Sequence, residues 1–369
     1  MSNQFIRKCG LIVYGLVSTG LGAPSSSVSS PLSISPGAVA AAPTPLQPAI
    51  APAQPGLDLS QFRIQFKVAA MDVDVPPTAI IRVYNLAAST AQQIQNEFQN
   101  VVLQAGYQNG NFGVIFQGSI IRIRKGRVSN IDSFVDIMAS NLDAIYNFGV
   151  VSKSVAASGT SYQGRLSAVA QGVQDSPAAA GTPNALAAGV KYGNIPSNFG
   201  TGGVLPRGKV LFGLAREKWT ELANSQQCHW SVGPDGSVNF IPDAGYLPGQ
   251  AVVINAQTGM IGVPEATQQG IEVRTLLNPS IKLGTQIQLD NASINTTTNL
   301  QATGFPDYSN FAFFANTSSD GTYRVLVAEH EGDTRGTGDG SWVTKITALS
   351  LDPSASPTSS VTSSIGALH

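Results

Sequence analysis

The run Phe62-Arg63-Ile64-Gln65-Phe66-Lys67-Val68 alternates apolar and polar side chains without a break. A period of two places every second side chain on one face of a pleated strand, so the run predicts a half-buried β-strand. The same signal returns at short intervals. Residues 79–85, 101–104, 113–125 and 133–140 read as strands, with Pro76-Pro77 and Gln108-Asn109-Gly110-Asn111 as turns between them. Gly118 marks a bulge or bend in the longest of them. Ser89-Thr90 ahead of residues 91–98 predicts one short helix. Residues 57–150 therefore read as a first antiparallel β-barrel domain.

Downstream the pattern changes twice. Residues 151–208 are rich in small side chains and read as a linker with helical pieces, one of them near 163–173. In 209–223, Leu211, Leu214, Ala215, Trp219 and Leu222 share one face and predict a helix. Strands at 228–232 and 237–241 flank a Gly233-Pro234-Asp235-Gly236 turn, so residues 209–249 read as a small α+β insert. Strands are expected again at 251–255, 270–276, 285–289, 323–329 and 341–350, giving a second β-barrel domain at 250–352. The chain is thus expected to be mainly β with minor α, two barrels flanking the insert, with a flexible Ser/Pro/Thr-rich tail at 353–369.

Apolar residues follow Arg7 and Lys8 in the manner of a secretory signal, but Pro24 after Ala23 blocks cleavage there, and Cys9 precedes the apolar run. Residues 8–13 are instead expected to be a first strand, within 1–13. Residues 24–56 hold eight prolines and no charged residue. Proline removes backbone donors and fixes φ, so residues 14–56 are expected to form a mobile insertion rather than sheet or helix. No stretch approaches the length of an apolar membrane span.

Composition narrows the function. Charged residues make up 12% of the chain and the net charge is −1, which disfavours a dedicated nucleic-acid binder and favours self-association. Two cysteines and three histidines leave little material for metal or nucleophilic chemistry. His330-Glu331-Gly332-Asp333 lacks a second histidine four residues after the first, where Thr334 stands, and reads as polar residues capping a loop. Cys228 and His229 are adjacent in a strand and point to opposite faces, which makes a thiolate pair unworkable and suggests a buried Cys beside an exposed His. Asp333 and Asp339 around Arg335 fall short of a calcium loop. Arg122, Arg124, Lys125 and Arg127 read as a solvated strand face, with Arg122 and Arg124 opposite Ile121 and Ile123; the second reading is a positive contact for another subunit. No nucleophile elbow, P-loop or dinucleotide fingerprint is present. No catalytic, cofactor-binding or metal-binding residue is expected, and the profile is that of an assembly component rather than an enzyme.

Several segments resemble a known family. Leu59-Ser60-Gln61-Phe62-Arg63-Ile64-Gln65-Phe66-Lys67-Val68, residues 79–86, Ala105-Gly106-Tyr107 and residues 113–118 resemble the opening barrel of phage baseplate hub proteins. Met260-Ile261-Gly262-Val263-Pro264-Glu265, residues 270–284, and 330–336 followed by Trp342 are similar to later parts of that family, in the same order. The resemblance implies a trimeric virion component with two tail-tube-like barrels per chain. It would form a six-barrel ring joining the tail tube on one side to the central spike on the other, among other baseplate proteins. DNA would pass through without tight binding, no membrane would be involved, and assembly would take place in the host cytoplasm. The family carries over no catalytic residue or cofactor. It departs at residues 14–56, an insertion in the first loop. The alternatives are a secreted or surface β-rich binding protein with a Pro/Ser-rich stalk, and a cell-wall hydrolase, for which the sequence offers no catalytic pair.

Overall fold

The computed structural model describes residues 6–15, 56–157, 161–176, 189–196, 204–267, 270–289, 321–336 and 341–350. Most of the 14–56 insertion, Asp339 and the 353–369 tail lie outside these residues. The molecule is mostly antiparallel β with few helices, as the alternation implied.

The strand expected at 8–13 is β1 (Arg7–Tyr14), which pairs antiparallel with β5 (Asn100–Tyr107) and, at its end, with β2 (Leu57–Asp58). The alternating run becomes β3 (Ile64–Met71), followed by β4 (Thr78–Tyr84). Helix α1 (Ala88–Glu97) starts one residue after Ala87, ahead of the Ser89-Thr90 cap site, and has no side-chain cap. β6 (Phe112–Arg127) and β7 (Ser133–Ser140) form a long hairpin. Ile64, Phe66, Val68, Ile81, Val83, Leu103, Phe116 and Ile137 bury one face of these strands in a first core.

The middle of the chain begins earlier than the sequence suggested. β8 (Val150–Val155) pairs antiparallel with β9 (Lys209–Leu214), and α3 (Tyr162–Gln174) packs on β8, after a short α2 (Asp143–Phe148). Val151, Leu166, Val169 and Val173 share a core with Trp219, Trp230 and Phe240, so part of the stretch read as a linker is structural. The helix expected from 209 starts at Ala215: residues before it form β9, and α4 spans Ala215–Asn224. Gly213, at φ +126°, makes the change of direction that separates the two elements. β10 (Cys228–Val232) and β11 (Val238–Pro242) form the expected hairpin.

The last third contains β12 (Val252–Ile254), β13 (Met260–Thr267), β14 (Gly270–Leu276), β15 (Gln286–Leu289), β16 (Thr322–Asp333) and β17 (Trp342–Leu349). Ile271, Val273, Ile287, Tyr323, Val325 and Ile346 fill a third core. The strands expected to close into two barrels share one open sheet, in the order β13-β14-β17-β16-β3-β4-β7-β6-β5-β1-β2. The junction is β16 against β3, from Val327 opposite Met71 to Asp333 opposite Gln65. Each strand would otherwise leave a row of unpaired backbone groups, and pairing removes both edges at once. Trp342 extends the tie: its ring lies 5.3 Å from Phe66 in the first core, and its indole Nε1–H donates to the Gly106 carbonyl at 3.2 Å.

Candidate assembly surface

Alternation gives the shared sheet an outer face opposite the cores. In register across it lie Lys345 of β17, Glu329, Glu331 and Asp333 of β16, Gln65 and Lys67 of β3, Arg82 of β4, Asp136 of β7 and Arg124 of β6. Their charges alternate. Lys345 lies 2.8 Å from Glu331, and Lys67 lies 3.1 Å from Glu331 and 3.2 Å from Glu329. Asp333 takes Arg63 at 2.7 Å and the Gln65 amide at 2.7 Å. Asp136, 1% exposed, sits between Arg82 and Arg124, each at 2.6 Å, and Arg82 stacks over Phe134. Burial alone would raise Asp136, but the two guanidinium groups outweigh it and hold the carboxyl below its ordinary value. Asp333 is held down to about 2: burial opposes the shift, and Arg63, Gln65 and the Arg335 N–H override it. The cations of this face are largely spent on its own carboxylates.

A second polar cluster joins all three parts of the molecule. Asp72 leaves β3, and its carboxylate, 1% exposed, lies 3.0 Å from Nε2 of His229 on β10. Nδ1 of His229 faces Asp243 at 3.1 Å. Arg324 of β16 lies 3.8 Å from Asp72 and donates to the backbone carbonyl of Asp243 at 2.9 Å. Beside them, Thr220 of α4 donates to Asp74 at 2.8 Å and accepts the Trp230 indole N–H at 2.9 Å. Burial would lower His229, yet Asp72 and Asp243 together raise it above its ordinary value, favouring the imidazolium. Burial lowers Arg324.

The residues singled out by chemistry fall into structural places. His330 is not a loop cap. It is buried in mid-strand, because β16 runs four residues beyond the expected end, with Nδ1 2.9 Å from the Thr344 hydroxyl. Burial pushes it down to about 4. Glu331 and Asp333 point to the outer face and are taken by the ion pairs above. Cys228 and His229 do point apart: the thiol is buried and raised by desolvation, while His229 is paired rather than exposed. Among the described residues no group of three His, Cys, Asp or Glu is placed to hold a metal ion. On β6 a register shift between Ile120 and Arg122 turns Ile121 outward, 56% exposed, while Ile123 packs on the first core. The two isoleucines therefore do not share a face, as strict alternation predicted; the bulge inserts one residue. The Asp72–His229–Arg324 cluster escaped the sequence reading because its members stand in three distant segments with no local pattern.

A family model described as "Baseplate hub gp41" matches residues 242–301. The match contains Met260–Glu265 and the whole of the 270–284 segment already likened to that family, and covers strands β12 to β15. No curated protein matches the sequence. Among solved structures, the prophage MuSo2 43 kDa tail protein from Shewanella oneidensis is similar at 6% identity, TM-score 0.48, over 80% of this chain and 94% of that one. A tail protein from Neisseria meningitidis MC58 is similar at 8% identity, TM-score 0.43, over 81% and 95%. The c3393 protein of E. coli, described as a component of the type VI secretion system, follows at 8% identity, TM-score 0.43, over 78% and 73%. These are distant likenesses. By its family match and the ordered run of similar segments, the chain resembles phage baseplate hub proteins, and that resemblance supports a structural role in a phage tail baseplate.

Proposed function

We propose that the chain is the structural hub of a contractile-tail baseplate. Three copies form a ring that adapts a six-fold tail tube to a three-fold central spike, and the ring forms part of the path for DNA. The observation that carries this reading is the single sheet shared by both β regions. From β13 to β6 it contains eight strands, every neighbouring pair antiparallel. A sheet that passes from one β unit to the next without a break makes a continuous wall, which is what a conduit needs. Its outer face suits a passing polyanion: five of its cations, Arg63, Lys67, Arg82, Arg124 and Lys345, are already held by Glu329, Glu331, Asp333 and Asp136. Affinity for DNA grows with the phosphates neutralised, so a pre-neutralised wall guides without retaining.

In this reading the chain is not an enzyme. His330, Glu331, Asp333, Cys228 and His229 are engaged in packing, ion pairs or hydrogen bonds that a reaction would have to break. Native mass spectrometry of the full chain with negative-stain imaging tests the proposal. A three-copy ring with a central opening is expected, and a stable monomer with no ring at micromolar concentration would overturn it.

A further inference from the structure

A polar cleft of about 500 Å³ opens between the β10–β11 hairpin and the segments that lead into β12 and β15. Ile241 of the hairpin lies against Gly284, and His229 stands opposite it. Two residues along each strand, Ser231 and Asn239 form the next pair on that face and line the cleft instead. The walls are short of charge. Asp235 is held by Lys191 at 2.8 Å and by the Ser237 hydroxyl at 2.7 Å. Lys282 is exposed and makes no ion pair among the described residues. The side chains of Gln250, Ser280 and Gln286 have no hydrogen-bond partner among those residues. Ser231 is 1% exposed, and its buried hydroxyl has no partner there either. A buried hydroxyl left unpaired is costly, so it points to a polar group that reaches it from the cleft. Among the described residues no aromatic ring lines the cleft to stack on a sugar or a base. Amides and hydroxyls both donate and accept, which matches a peptide backbone. The lining therefore suits an extended peptide of small uncharged residues with one carboxylate for Lys282.

We infer that residues 351–358 of the same chain, Leu351-Asp352-Pro353-Ser354-Ala355-Ser356-Pro357-Thr358, seat in this cleft with Asp352 against Lys282. These residues lie outside the described ones, and position, reach and composition carry the assignment. β17 ends at Leu349, opposite Arg324, and Arg324 stands opposite Gln286 in the cleft wall. Two strand spacings, about 10 Å, separate Leu349 from that wall. Asp352 is three residues on, and three extended residues reach about 10 Å. Arg324 and Lys345, the cations of β16 and β17 near that end, are already engaged, the first by Asp72 and the Asp243 carbonyl, the second by Glu331. Arg274 of β14 is exposed and makes no ion pair among the described residues, but it stands on the far side of β17 from Gln286. The segment holds one carboxylate, no cation and no aromatic residue, as the lining requires. Pro353 and Pro357 restrict φ, so less conformational freedom is lost on binding. Seated there, the segment clasps the hairpin of the middle unit to the last third of the chain, beside the joint made by Asp72, His229 and Arg324.

Amide hydrogen exchange of the full chain, read by mass spectrometry over residues 351–358, provides the test, with circular dichroism to verify folding of the surface variants. Exchange at least about tenfold slower than in a synthetic peptide of the same residues is expected. Lys282→Glu should reduce that protection at least about threefold, and Lys282→Glu with Asp352→Lys should restore it. Arg274→Glu should leave it unchanged. Exchange at the free-peptide rate would overturn the proposal, as would protection unmoved by Lys282→Glu. A response to Arg274→Glu alone would seat the segment along β14 instead and overturn it too. An independent measurement identifies the source of the peptide. Oxidation of Lys282→Cys with Asp352→Cys should give an intrachain disulfide, located by peptide mapping. Its absence, or an interchain bridge that assigns the cleft to the segment of another copy, would overturn the intrachain clasp. None of these outcomes touches the hub reading, which the ring count tests.

Discussion

At the scale of single residues, two histidines couple stability to pH in opposite directions. His229 is raised by Asp72 and Asp243, so its contribution is complete below the unfolded histidine value near 6.5 and is lost as pH rises through the folded value. His330 is pushed down by burial from 6.5 to about 4, so its contribution is present above 6.5 and is lost as pH falls toward 4. That shift corresponds to about 3 kcal/mol between the two limits. Chemical denaturation across pH should therefore show His229→Gln destabilising more at pH 6 than at pH 8.5. His330→Gln should flatten the acid limb between about pH 6.5 and 4. A pH-independent loss in either variant would contradict the assignment. Asp72→Ala, which strips a buried carboxylate from between His229 and Arg324, is expected to cost roughly 3 kcal/mol. His229 was legible as a strand residue; its partners were not, since Asp72 and Arg324 come from segments 157 and 95 residues away.

At the scale of elements, the hairpin between β5 and β6 depends on Gly106. Its φ of +152° is one that side-chain-bearing residues rarely adopt, and an added Cβ would stand 1.9 Å from the Asn111 carbonyl oxygen. Gly106→Ala is expected to destabilise the protein by roughly 3 kcal/mol, seen as a lower denaturant midpoint. It also disturbs the carbonyl that accepts the Trp342 indole, so near-ultraviolet circular dichroism should change with it. An unchanged midpoint would show that the turn relaxes freely. Elements with a period of two or a clear turn were legible, including β3, β4, β7 and the β10–β11 hairpin. β9 was misread because Leu211, Leu214 and Ala215 satisfy a helical spacing by coincidence, across the boundary that Gly213 sets. β8 gave little local signal, and its pairing partner lies beyond a stretch of small residues.

At the scale of the molecule, the hub reading makes two further claims. Residues 57–150 and 250–352 are expected to superpose as like tube-type units alternating around a ring of six; an experimental structure of the assembled ring in which they do not superpose would end the symmetry-adaptor mechanism. DNA is expected to show no retained complex in gel shift at about 10 µM protein and about 0.15 M salt, because most of the wall's cations are already paired. A tight complex under those conditions would contradict a conduit that releases its cargo.

The sequence by itself determined the fold class, most of the strands and the short helix, because these follow from side-chain period and turn residues, all local properties. It also carried the resemblance to baseplate hubs through short ordered segments. Only the tertiary structure decided that β16 lies beside β3 and joins the two β regions in one open sheet, that β8 and α3 belong to the core of the middle unit, and that Ile121 is turned outward by a bulge. Those outcomes depend on which distant edges find each other. Backbone edges are chemically alike along every strand, so the choice among them is made by packing and charge in three dimensions rather than by any pattern readable along the chain.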